Sequence, residues 1–482
     1  MSVRLRPCRA PSAARQRGQA MLLTVLLLAV GISAVIYNFV APAKESIERD
    51  RITAAALAQA KAALIGYAIG VDLSVSGPRP GDLPCPDRDN DGSSAPPDSP
   101  CTGAVLGRLP WKTLGLPDLR DGYGERLWYA VSSNFKNSPR TACSTAGAAG
   151  CLNSDTRGTI TIRNRDGTVR SDGSNPDPYT PSGVIAVIIA PGAILRRQDG
   201  TLQDRSAAGQ NNPINYLDVL SGTEDNAAFA DGSNVDGFIA GDIRDASNNL
   251  IVNDRLLTVT YQDLMPLMER RVAKEALNCL ASYANANGGR YPWAVPITNL
   301  AEPYGDVIGT RFGRIPDGPF GQTLLGAIPA IFFPALKLQC DATPAKCMAT
   351  DWPNPGSPRC NFANGSWWRN WKEQVFFGVD AKYTPFLDIQ ANIINGIMPL
   401  LPCPACLTVN PPSPAADKRV VVMVAGKRLA PVAGGQPRSA PSDKQTTANY
   451  VEGENDWMSG PNADTFVQQK PTATFNDYLL YQ

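Results

Sequence analysis

Histidine is absent from all 482 residues of the chain. That absence excludes Ser-His-Asp and Cys-His catalysis, His-ligated zinc and imidazole proton relays. Charge is scarce as well. Asp, Glu, Lys and Arg make up 18% of the chain, and 45 basic against 44 acidic residues leave a net charge of +1. That balance gives no electrostatic case for nucleic acid as a partner. No pair of carboxylates is spaced as an acid/base couple, so the chain reads as non-catalytic. Glycine and proline, at 42 each, are plentiful and suit a loop-rich secreted protein. The length is that of two to four domains.

One long apolar run stands out, from Ala20 to Val40, broken only by Thr24, Gly31, Ser33 and Asn38. It is long enough to span a bilayer as a helix. Arg4, Arg6, Arg9, Arg15 and Arg17 precede it with no acidic residue among them. The asymmetry places the N-terminus in the cytoplasm and the rest of the chain across the inner membrane, in the periplasm. Three readings fit these residues. The run is a plain signal anchor, a secretory signal cut at Ala41-Pro42-Ala43, or the N-terminal helix of a type IV prepilin. A signal peptide's apolar region is usually shorter.

Arg17-Gly18, then the polar Gln19, then a long apolar helix resemble the site cut by prepilin peptidase. The resemblance implies cleavage after Gly18 and a methylated mature N-terminus at Gln19. Most pilins and pseudopilins carry Glu at the fifth mature position, where this chain has Leu23. K-type minor pseudopilins and some X-type minor pilins are similar in lacking it and in having large heads.

Eleven cysteines are present, and Cys8 lies in the leader. The other ten, downstream of an export signal, read as a disulfide framework. Cys85–Cys101 and Cys143–Cys151 are the expected pairs of the first half. Cys403-Pro-Ala-Cys406 has redox spacing, but Leu401-Pro402 and Leu407-Thr408-Val409 around it read as loop into strand. A tight structural bridge is expected there, since thioredoxin-like chemistry wants a helix N-terminus. Cys279, Cys340, Cys347 and Cys360 cannot be paired from sequence.

Ala54, Leu57, Ala58, Leu64, Ile65 and Ala68 recur at helical spacing and predict a helix to Ile69, with Lys44 and Lys61 as solvated charges on it. Short strands are expected over 126–131, 159–163, 184–190 and 255–261. The Gly/Asn/Asp-rich stretch 199–254 reads as surface loop. A second helix is expected over 263–287, on Leu264, Leu267, Met268, Val272, Ala276, Leu277, Leu280 and Tyr283. Its end, Tyr283 to Trp293, resembles the end of the pilin N-terminal helix.

The second half of the chain echoes the first half in order. Gly66-Tyr67-Ala68 matches Ser282-Tyr283-Ala284, and Gly107–Pro110 matches Gly313–Pro316. Glu125–Val131 matches Glu373–Val379, and Cys143–Cys151 matches Cys403–Cys406. Val184–Ala190 matches Val420–Ala425, Asn215–Asp218 matches Asn449–Glu452, and Leu257–Asp263 matches Thr472–Asp477. Ordered matches of this kind argue for an internal duplication. The expected fold is α+β: a leader (1–18), a transmembrane helix (19–43) and two tandem pilin-like heads (44–262 and 263–482). Each head would be a helix on a small antiparallel sheet with disulfide-pinned loops.

Asp87-Arg-Asp89-Asn-Asp91-Gly92 reads D-x-D-x-D-G, with Asp98 at the twelfth position. Oxygen ligands at alternate positions and a glycine at the sixth are how a loop wraps Ca²⁺. K-type pseudopilins are similar in having a head that binds calcium. Against that, the last ligand is Asp rather than Glu, and no helix enters the loop; a solvated Asp/Asn turn is the other reading. Trp352, Trp367, Trp368 and Trp371, with Asn361, Asn364 and Asn370, are either core packing or an exposed docking surface.

The function expected is that of a non-catalytic minor pilin or pseudopilin subunit of a type IV pilus or type II secretion system. Its partners would be other such subunits, prepilin peptidase and the inner membrane. A duplicated head and the missing Glu both point to the filament tip. The alternative is a single-pass anchored periplasmic binding protein that never enters a filament.

Overall fold

The structure is a computed structural model of the whole chain. It describes Leu28 and residues 44–482, apart from 75–76, 95–100, 102–105, 138–142, 144–145, 148–149, 207–208, 229, 234, 308, 318–359, 361, 363–365, 385–405, 412–415, 431–434 and 461–463. Gly18, Gln19, Asp98, Cys340, Cys347, Trp352 and Cys403 lie outside the described residues.

The fold is mixed α/β. Helix α1, Lys44–Gly70, is long and apolar enough to cross a membrane. Its buried stripe is Ala56, Leu57, Ala60, Leu64 and Ala68. Ala54 and Ala58, expected on that stripe, are exposed instead. Alanine gains little from burial, so a run of alanines does not fix which face turns inward. Helix α2, Tyr261–Ala286, buries Leu264, Met268, Val272, Ala276, Leu280 and Tyr283 as its spacing predicts, while Leu267 faces water.

Two four-stranded antiparallel sheets flank these helices. The first runs β1 (Leu106–Arg108), β2 (Trp128–Val131), β5 (Ala186–Ala190), β9 (Arg255–Val259). Between them in sequence, β3 (Ile162–Arg163) pairs with β4 (Val169–Ser171) and, in parallel, with β6 (Phe238–Ile239). β7 (Ile243–Arg244) and β8 (Leu250–Val252) form a hairpin. The second sheet runs β10 (Phe312–Arg314), β11 (Val375–Val379), β13 (Val420–Val424), β15 (Tyr478–Tyr481). Beside it, β12 (Thr408–Asn410) pairs in parallel with β14 (Thr465–Val467).

The registers of the two sheets correspond. Gly107 faces Tyr129, which faces Ile188, which faces Leu257. Gly313 faces Phe377, which faces Val422, which faces Leu480. Both glycines are forced by a close approach. A Cβ would lie 2.6 Å from the Asp87 carbonyl oxygen at Gly107, and 2.0 Å from the Val295 carbonyl oxygen at Gly313. Strand alternation then splits the side chains into layers. Tyr129, Ile188, Phe377 and Val422 point into one core shared with α1 and α2. Trp128, Val187 and Ile189 face a second cluster, and Phe376, Val421 and Met423 a third.

The stretch 199–254 is not simply surface loop. It carries a buried polar network that recurs in the second half. Arg205 donates to the Gly192 carbonyl (2.7 Å), the Asn215 carbonyl (3.4 Å) and the Gln203 side chain (2.9 Å). Arg438 donates to the Gly426 carbonyl (3.0 Å), the Asn449 carbonyl (2.6 Å) and the Gln436 side chain (3.2 Å). Asn226 donates to Asp254 (2.8 Å), as Asn455 does to Asp477 (3.1 Å). The Asp218 amide donates to Asp254, and the Glu452 amide to Asp477, both at 2.8 Å. Backbone amides left by irregular loops must find partners when buried, and these side chains supply them. The network also corrects one match. Asp477 corresponds to Asp254 and β15 to β9, so the pairing of Asp477 with Asp263 is out of register.

Asp263 has a different task. Its Oδ2 accepts from the Thr260 amide (2.8 Å) and hydroxyl (2.7 Å), capping α2, and its Oδ1 takes the Lys61 ammonium at 2.8 Å. Lys61 therefore adds an ion pair between the two helices rather than standing as a solvated charge.

Candidate functional site

The acidic loop enters from β1's neighbourhood, where Asp87 bridges to Arg108 across an antiparallel pair. The expected Cys85–Cys101 disulfide closes it from behind. Asp87 is buried, and its two oxygens accept from the amides of Asn90 and Gly92, each at 2.7 Å. Asn90 (φ 66°) and Gly92 (φ 91°) are left-handed, which is what wraps the chain round the Asp87 carboxylate. Asp89 and Asp91 are exposed, and Asp91 accepts from the Ser93 amide at 2.6 Å.

One oxygen from each of Asp87, Asp89 and Asp91 lies within 4.8 Å of the others, a spacing that suits a hard cation. Burial pushes the Asp87 carboxyl up to about 6, and the Asp89 carboxylate beside it adds to the rise. Two cations hold the loop's backbone. Arg126 donates to the Asn90 carbonyl at 2.8 Å, and the Lys112 ammonium to the Asp91 carbonyl. Arg126 itself is paired with Asp118 at 2.9 Å. The loop is thus preorganised by its own amides, and two of its carboxylates remain open to solvent.

The other candidates separate clearly. Cys143–Cys151 is a disulfide, and Cys406 is disulfide-bonded. Cys279 of α2 bonds Cys360, a pairing the sequence did not reveal. Trp367, Trp368 and Trp371 are buried, so the docking-surface reading fails for them. Phe362 stacks on Trp368 at 4.1 Å, beside the Cys360 bridge. Cys279–Cys360 pins this aromatic cluster under α2.

Two features escaped sequence reading altogether. Arg108 lies between the Trp128 and Tyr216 rings, 4.1 Å and 3.9 Å from their centroids, and burial lowers its pKa to about 10. Glu269, on the buried face of α2, has its carboxyl pushed up to about 8 by burial. Nothing in its sequence neighbourhood separates Glu269 from the exposed Glu and Lys residues expected on a helix. No protein-family model, no curated protein and no solved structure matches this chain.

Proposed function

We propose that the chain is a non-catalytic minor pilin or pseudopilin-like subunit that sits at the tip of a filament. In this reading the run 19–43 anchors it in the inner membrane, prepilin peptidase cuts after Gly18, and 44–262 and 263–482 are tandem pilin-like heads. The observation that carries the reading is the arrangement of α1. It directly follows a basic leader and an apolar run, is itself long and apolar, and buries one face under an antiparallel sheet. The recurrence of strand order, register and polar network in the second half supports the tandem heads. The second head starts from α2, which follows β9 directly and has no apolar run before it.

Asp87, Asp89 and Asp91, with Asp98, would hold Ca²⁺ through carboxylate oxygens, and the ion would relieve their mutual repulsion. The test of placement is to label the chain on sheared filaments. Label at filament ends alone supports a tip subunit. Label along the shaft contradicts the tip placement, and no label on filaments leaves the anchored binding protein.

A further inference from the structure

We propose that the cleft between the 151–159 loop and the second sheet binds a small oxyanion-bearing molecule, held by the guanidinium groups of Arg157 and Arg428. The cleft has a volume of about 450 Å³ and is walled by both halves of the chain. That volume suits a small organic ligand.

Charge in its walls is unevenly used. The two acidic residues are satisfied by the protein. Asp155 accepts from Arg428 Nε (3.2 Å), Arg438 Nη1 (3.1 Å) and Gln374 Nε2 (2.9 Å). Glu373 accepts from the Tyr450 hydroxyl (2.6 Å) and the Lys444 ammonium (2.9 Å). The two basic residues keep donors without partners among the described residues. Arg428 spends only Nε on Asp155, and its Nη groups have no partner among the described residues. The Arg157 side chain lines the cleft and forms no hydrogen bond or ion pair among the described residues. The planar fork of a guanidinium fits two oxygens of a carboxylate or phosphate.

The walls are also held in place. The Leu152 amide donates to Asn370 Oδ1 (2.8 Å), Asn153 Nδ2 to the Asn370 carbonyl (3.0 Å), and the Ser154 amide to Gln374 Oε1 (3.1 Å). Cys143–Cys151 anchors the same segment. A ligand entering such a cleft meets little ordering cost.

The experiment is calorimetric titration of the full chain in detergent micelles with inorganic phosphate, with succinate and with glycerol as a neutral control. Saturable binding of phosphate or succinate at millimolar concentration is expected, with glycerol silent. Phosphate alone would identify a phosphoryl ligand, and succinate alone a carboxylate. Arg157→Gln should weaken binding by about tenfold or more, since a charge-assisted pair is lost. Its melting temperature without ligand should stay close to that of the wild type, because the Arg157 side chain has no bond to lose among the described residues. Absence of oxyanion binding, equal binding by Arg157→Gln, or equal binding of glycerol would overturn the proposal.

Discussion

Glu269→Gln should make the protein less sensitive to pH, by an amount the structure sets. Glu269 lies on α2, 6% exposed, with the Tyr261 hydroxyl 3.2 Å from its Oε1. That hydroxyl is also 2.9 Å from the Ser154 carbonyl, to which it gives its one proton. The phenol oxygen is then free to accept from a protonated Glu269. Burial raises the carboxyl from 4.5 to about 8, opposed by the Ser154 and Tyr261 hydroxyls, which can donate to the carboxylate, and by the Arg438 charge, and assisted by the Asp155 charge. The sign follows from proton binding. A raised acid holds a proton in the folded state that the unfolded chain has lost, so its stabilisation is complete below the unfolded value and disappears as pH climbs toward about 8. Each pH unit within that window is worth about 1.4 kcal/mol, so pH 5 to pH 7 removes about 3 kcal/mol as a ceiling. Glutamine cannot titrate and can donate to the same phenol oxygen. Urea unfolding of the full chain in micelles, wild type beside Glu269→Gln, isolates this group, since every other titration is common to both. The variant should gain about 3 kcal/mol relative to the wild type between pH 5 and pH 7. A difference that stays constant over that range would refute the buried, protonated carboxyl.

Other outcomes rest on single contacts. Ca²⁺ should raise the melting temperature of the full chain, and Asp89→Ala with Asp91→Ala should abolish the rise. Because Asp87 sits at about 6, the Ca²⁺ effect should fade as pH drops below that value, and a pH-independent effect would place the ion elsewhere. Replacing Cys279 and Cys360 by alanine reopens a loop spanning 81 residues and should cost about 4.5 kcal/mol by chain entropy, read as a lower urea midpoint. Asp263→Ala removes both the α2 cap and the Lys61 contact and should cost about 1–2 kcal/mol, whereas Lys61→Met, which keeps the cap, should cost less. Equal losses in the two variants would deny Asp263 its double role.

Much of the fold was legible because it rests on local periodicity. Leu264, Met268, Val272 and Leu280 announce α2, and short apolar runs such as Val420 to Val424 announce buried strands. The glycines of the two edge strands and the Asn-Tyr-x-acid turns could be aligned because each marks a backbone constraint. The features that stayed hidden were set by distant parts of the chain. The register of the last strand depends on which Asp takes the amide of residue 218 or 452, and spacing alone pointed to the wrong one. Lys61 looked solvated until Asp263 was placed opposite it. Core packing was the favoured reading of the tryptophans, and for Trp367, Trp368 and Trp371 the Cys279–Cys360 bridge to α2 shows what they pack beneath. The Asp loop was visible as carboxylates at alternate positions, but not the amides and the Arg126 and Lys112 contacts that shape it.

The prepilin processing proposed above is open to mass spectrometry of the mature protein's N-terminal peptide, from cells with and without prepilin peptidase. The peptide should begin at a methylated Gln19 in the first cells and retain Gly18 in the second. A mature chain beginning at Met1 or Lys44 in both would contradict it.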